Sequence, residues 1–257
     1  MLGLLIGGCA LFGLAVGSFL NVVIYRVPRH ESIVSPRSAC PNCGTPILER
    51  DNVPVLSYVL LKGRCRSCHS PISKRYPLVE MANAALFAGT AARLGFNWDL
   101  PAFLVLFAGL LALACIDVEL LILPKLIVYS VLAAVAGLLT LAAGLSGAWH
   151  ELWVAGVFAL GWFAVFFVLN FLSPRYLGFG DVRLAPVLGL GLGWFGWKFV
   201  VLGFFSANLI GAIVGGFLIA TKKMSRDQQI PYGVYLALGA AVAIFAGPEI
   251  VTHFHRY

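Results

Sequence analysis

The sequence predicts an all-α polytopic membrane protein with about eight transmembrane helices and a small cysteine-bearing insertion after the first of them. Three observations carry this reading. The mean hydropathy is +0.92, charged residues make up only 11% of the chain where about 25% is ordinary, and apolar runs near the length of a bilayer crossing recur from end to end. In lipid every backbone amide must be paired within its own helix or a closed barrel. The runs are rich in Gly, Ala and Leu and lack the alternation of barrel strands, so they are helices.

The expected spans cover residues 2–25, 78–94, 101–116, 123–145, 152–172, 184–195, 199–221 and 234–250. The second, third and sixth are short for a full crossing. The sixth carries Gly189, Gly191 and Gly193, which fits a broken or partly re-entrant segment. The first has no basic residue before its apolar run and no small-x-small cleavage site ahead of Arg26, so it reads as a retained helix rather than a secretory signal. Three parts follow: a first helix at 1–25, a loop at 26–76 and a helical bundle at 77–257.

Charge placement sets the orientation, because Lys and Arg concentrate on the cytoplasmic side. With the first helix running from outside to inside, Arg26, Arg29, Arg37, Arg50, Lys62, Arg64, Arg66, Lys74, Arg75, Lys125, Arg175, Arg183, Lys222, Lys223 and Arg226 fall inside. Arg93, Lys198 and Arg256 are left outside. The net charge of +7 is then mostly topology. It calls for no nucleic acid, and a basic inner face attracts anionic lipid.

Two aspartates stand out against this background. Asp117 ends the third run in Leu113-Ala114-Cys115-Ile116-Asp117, and Asp181 precedes the sixth in Gly178-Phe179-Gly180-Asp181. The topology puts both at a similar depth on the cytoplasmic side, where they can face each other. Like charges oppose the second ionisation, so such a pair holds a shared proton between an acid and a base. An aspartic peptidase needs that state: the ionised partner takes a proton from water while the protonated one polarises the scissile carbonyl. Gly178 and Gly180 let another chain approach Asp181 closely, and Pro124 and Pro174 mark loops on the same face. Each aspartate alone reads also as an interfacial helix cap, or, for Asp181, as a partner of Arg183. Glu119 points away from Asp117 on a continuing helix and reads as solvated.

The loop holds Cys40-Pro41-Asn42-Cys43-Gly44 and Cys65-Arg66-Ser67-Cys68, two CxxC pairs 21 residues apart. Four thiolates at this spacing suit the tetrahedral shell of a zinc ribbon, and a segment this small needs such a staple. Disulfides are the competing reading, opposed by the reducing compartment that the topology implies. His69 adjoins Cys68 as an alternative ligand, although four cysteines suffice. Cys9 and Cys115 lie in apolar helices and read as small hydrophobes.

Taken in order, Gly17-Ser18-Phe19-Leu20-Asn21-Val22-Val23-Ile24-Tyr25-Arg26-Val27-Pro28-Arg29, the two CxxC pairs, Arg75-Tyr76-Pro77-Leu78-Val79-Glu80, Ile116-Asp117-Val118-Glu119 with Leu123-Pro124, Gly178-Phe179-Gly180-Asp181 and Ile230-Pro231-Tyr232-Gly233 resemble the signatures of the type IV prepilin peptidases, GxGD aspartic membrane proteases. The resemblance runs nearly end to end. It implies an enzyme of the inner membrane that cuts the basic leader from type IV prepilins and type II secretion pseudopilins on the cytoplasmic side. It also implies methylation of the new amino terminus with S-adenosylmethionine. By motif, Asp117 and Asp181 are the peptidase pair and Cys40, Cys43, Cys65 and Cys68 the metal cluster.

The methyltransferase half rests on resemblance alone, since no Gly-rich dinucleotide fingerprint is present. Glu80 and Asn21 are polar groups placed to help either reaction, or to serve as a cap and an interhelical hydrogen bond. Two residues depart from the family pattern. Lys125 stands where an aspartate is frequent and Arg183 where a lysine is; altered substrate contacts are expected rather than lost activity. Two rival readings share part of the pattern: an intramembrane GxGD peptidase of the signal-peptide-peptidase type, which gives the tetracysteine loop no purpose, and a carboxylate-based proton-coupled transporter.

Overall fold

The structure, a computed structural model, describes residues 1–172, 177–222 and 230–253, and these contain helices but no strand. Pro174, Arg175, Lys223, Arg226 and Arg256 lie outside the described residues. The chain forms two units, Met1–Phe96 and Asn97–Tyr257.

In the first unit, α1 (Leu2–Arg26) packs along α3 (Arg75–Leu94), and the loop between them carries the short α2 (Leu56–Leu60). Glycine brings the two long helices together. A Cβ on Gly17 would lie 2.7 Å from the Cα of Glu80, and one on Gly13 would lie 2.8 Å from that of Ala84. Gly13-Leu14-Ala15-Val16-Gly17 is thus a GxxxG face, on which backbones meet closely enough for dispersion and polar contacts to hold helices together in lipid. Asn83 Nδ2 donates across the seam to the Gly13 carbonyl at 2.8 Å, and Asn21 Nδ2 to that of Tyr76 at 3.2 Å. Asn21 is therefore an interhelical tie.

The second unit comprises α4 (Leu100–Leu120), α5 (Lys125–Ser146), α6 (Trp149–Leu172), α7 (Phe179–Gly193), α8 (Trp197–Ala220) and α9 (Tyr232–His253). Helix α7 touches every other helix of the unit. Its sequence explains this central place. Beyond Arg183 it is apolar on all sides, as a fully surrounded helix must be, and its glycines open room for neighbours. A Cβ on Gly189 would meet the Phe158 carbonyl oxygen at 2.5 Å, and one on Gly193 would meet the Ala155 Cα at 2.9 Å. The glycines expected to break this segment instead let α6 pack against an unbroken helix. Helices α8 and α9 close the same way, Gly203 against Gly239.

Six of the described helices are long and apolar enough to cross a membrane: α1, α4, α5, α6, α8 and α9. The protein is a multi-pass membrane protein. The other two expected spans correspond to α3 and α7, which are helical but differ in kind. Helix α3 carries Arg75, Glu80, Asn83 and Arg93, and α7 has only 15 residues, or about 22 Å of rise against about 30 Å of hydrocarbon.

Candidate functional site

Asp117 and Asp181 come together within the second unit. Asp117 lies one turn before the C-terminus of α4, and Asp181 is in the first turn of α7. Both are buried, and they are near enough for the charge on Asp117 to act on Asp181. Their local settings differ. Asp181 reaches back to the backbone amide of Gly178, which begins α7, the acidic half of a capping box. Asp117 stands at the negative end of its own helix, a place that disfavours an anion. The start of α9 offsets this, because the amides of Gly233 and Val234 donate to the Asp117 carboxylate, and a helix N-terminus is a ready anion site. Asp117 Oδ2 is buried against Gly233, without a hydrogen-bond partner from the protein.

Three features of this site were not visible in the sequence. Leu123 is a wedge between the acids' supporting elements: a Cβ on Gly180 would lie 3.1 Å from Leu123 Cβ, and one on Gly233 would lie 3.1 Å from Leu123 Cδ2. Gly233 itself allows the approach to Asp117, since a Cβ there would lie 2.9 Å from Asp117 Oδ2. Tyr232, beside it, feels the charge of Asp181 and donates its hydroxyl to Asn208 Oδ1 at 3.3 Å. The hints were the Leu123-Pro124 and Pro231-Tyr232-Gly233 signatures, whose spatial meaning needs the fold. Gly233→Ala is expected to leave the protein folded and to slow any reaction that uses the Asp117 carboxyl, by up to roughly 100-fold, the cost of a displacement of about 1 Å at a reacting group; steady-state rates on purified protein measure it.

Arg183 does not pair with Asp181. Its guanidinium lies over the Phe179 ring at 4.7 Å, so the reading of Asp181 as an arginine partner finds no ion pair. Lys125 begins α5, directly after Pro124. In the first unit, Glu80 accepts hydrogen bonds from the Val55 amide at 2.7 Å and from Ser18, tying the loop to the α1–α3 pair. Val55 is held at φ +60, a region hostile to β-branched residues.

The same unit contains the four cysteines. The Sγ atoms of Cys40, Cys43, Cys65 and Cys68 all lie within 4.8 Å of one another, with Cys40 and Cys68 at 3.8 Å. A disulfide needs about 2.05 Å, whereas a tetrahedral ion with bonds of about 2.3 Å sets its sulfurs about 3.8 Å apart. The donor set fits a metal ion.

Two matching knuckles make this geometry. Cys40 N donates to Thr45 O and Gly44 N to Cys40 O; Cys65 N donates to Ser70 O and His69 N to Cys65 O. Each knuckle closes on one antiparallel bridge, Ala39 with Pro46 and Arg64 with Pro71. Gly44 and His69 occupy the same left-handed position, at φ +70 and +58. His69 is thus a turn residue, and the group that could hold a metal ion is the four cysteines. The Ser70 hydroxyl and amide draw the Cys68 thiol down to about 6, and the amides of Cys43 and Asn42 lower that of Cys40. Metal ligation requires these thiolates.

Residues 11–94 match the bacterial peptidase A24 N-terminal domain, and residues 104–216 match the type IV leader peptidase family. The prepilin leader peptidase/N-methyltransferase of Pseudomonas aeruginosa is 34% identical over 272 residues, covering 96% of this chain and 92% of that protein. This chain belongs to the type IV leader peptidase family. Proteins of the same name from Burkholderia pseudomallei and Bacillus subtilis are 35% and 31% identical, covering 95% of this chain in each case and 86% and 95% of their own lengths. No solved structure matches the chain. Asp117 and Asp181 both fall in the stretch matched to the type IV leader peptidase family, and the four cysteines in the stretch matched to the N-terminal domain. Helix α9, which meets Asp117, lies beyond both stretches.

Proposed function

We propose that this chain is an aspartic endopeptidase of the inner membrane that removes the basic leader of type IV prepilins and pseudopilins at the cytoplasmic face, and that it methylates the new N-terminal residue with S-adenosylmethionine. Asp117 and Asp181 are its catalytic pair. The observation that carries this reading is the meeting of two buried carboxylates, from α4 and α7, beside the N-terminus of α9.

The chemistry follows from one proton held between two acids. The ionised carboxylate removes a proton from water as the oxygen attacks the scissile carbonyl, and the protonated one hydrogen-bonds the carbonyl oxygen. Collapse of the tetrahedral adduct passes a proton to the departing amine, which becomes the new amino terminus. The peptide must be extended to bring its carbonyl to the acids, and Gly178 and Gly180 leave room beside them. A prepilin carries a basic leader followed by an apolar helix. Its scissile bond therefore rests at the inner membrane surface, where the charge distribution puts the pair.

Cys40, Cys43, Cys65 and Cys68 would hold zinc. Four protein thiolates fill its coordination shell, so the ion would serve to shape the loop rather than to bind a reactant. Family membership and this cluster leave the transporter and signal-peptide-peptidase readings without support.

The test is to incubate purified protein with a prepilin and S-adenosylmethionine and weigh the products. The expected product has lost its leader and gained one methyl group. A prepilin returned at full mass contradicts the peptidase reading, and a trimmed, unmethylated product contradicts the transferase half.

A further inference from the structure

Helix α6 packs on α7, and α8 on α9. Between α6 and α8 runs a cleft of about 160 Å³ lined by Trp162, Val165, Phe166, Val200, Val201 and Phe204. It contains no charged side chain, and aromatic contacts set its width: Phe204 meets Trp162 edge-on at 5.5 Å and Phe166 at 6.3 Å. Val165, Val201 and Phe204 are exposed on its walls.

One end of this cleft lies against Tyr232, which stands beside the acids. Phe166 stacks on Tyr232 at 6.5 Å, Tyr232 feels the charge of Asp181, and its neighbour Gly233 abuts Asp117. The Tyr232 hydroxyl is anchored at Asn208 on α8. One turn back from Asn208, the cleft begins at Phe204 and runs along α8 to Val200, about 6 Å of helix rise, beside the middle of α6. A chain cut at the acids and continuing as an apolar helix would thus meet, past Tyr232, an apolar slot ending at Phe166 and Phe204.

We infer that the α6–α8 cleft seats the apolar helix of the substrate, with Tyr232 as the floor at the scissile end. This rests on the peptidase reading. The cavity has room for bulky side chains rather than a whole helix, so the contact is knobs into a hole, the mode that joins helices in lipid. Shape and apolarity would select the helix, while the acids act on the extended stretch before it.

The test compares two substrates sharing one leader, an intact prepilin and a peptide ending a few residues past the scissile bond. Val201→Trp and Val165→Trp fill the cleft without touching the acids. Each is expected to lower kcat/KM for the intact prepilin roughly tenfold, mainly through KM, and to leave the short peptide at the parent rate. A photo-crosslinker within the prepilin's apolar helix should label residues 162–166 and 200–204, and this arm decides the matter if the parent enzyme spares the short peptide. Equal rates for parent and variants on both substrates would mean that lipid alone fills the cleft. An equal fall on both, or labelling elsewhere, would make it structural packing. Each of these results overturns the inference. A parent enzyme that cuts neither substrate fails at the peptidase reading itself, and the inference goes with it.

Discussion

Cys40→Ser or Cys65→Ser is expected to strip the metal from the purified protein and to impair methyl transfer far more than leader cleavage. The loop explains the size of the effect. Between residues 27 and 76 the only buried residue is Ser57, so the segment has no apolar core of its own, and the two knuckles are too short to hold each other through backbone bridges. Structural zinc supplies about 10–16 kcal/mol to sites of this kind, and loss of one thiolate opens the shell. The acids lie in the other unit, on helices that pack against one another. Metal analysis of parent and variant, together with the two product masses, measures both effects. Equal zinc in parent and variant would remove the metal site; equal damage to both activities would remove the division of labour.

The helices and the chemistry-bearing residues could be read from the chain because lipid imposes a one-dimensional rule. Each crossing must be a long apolar run, and Asp117 and Asp181 stand out as charges against it. The knuckles were legible for a similar reason, since the spacing within each CxxC pair is local. What eluded the sequence is tertiary. Gly189 and Gly193 look like breaks until α6 is seen lying against them. Leu123 stood in a signature with no visible role, and only the meeting of the α4–α5 turn, α7 and α9 makes it a spacer between the acids' supporting elements. Gly233 lies far along the chain from Asp117, and hydropathy says nothing of a backbone that must pass within contact distance of a carboxylate. His69 stood as an alternative ligand beside four sufficient cysteines, and its backbone matches that of Gly44, a correspondence that residue type hides.

Asp117→Asn and Asp181→Asn are each expected to lower cleavage by about 10³-fold or more, within the range that general acid–base groups supply, while the protein remains folded. Asparagine preserves size and hydrogen-bonding reach but cannot take or give the shared proton. Because the two acids act as a unit, the double variant should be scarcely worse than either single one. Removing a buried charge from α4 or α7 also relieves a desolvation cost, so thermal stability should hold or rise. That separates this loss from the loss caused by unfolding.

The decisive measurement is prepilin cleavage by the two single variants at matched, folded concentration in detergent. Near-zero turnover in both is the result expected of a carboxylate pair sharing one proton. Near-parental turnover in either variant would contradict it.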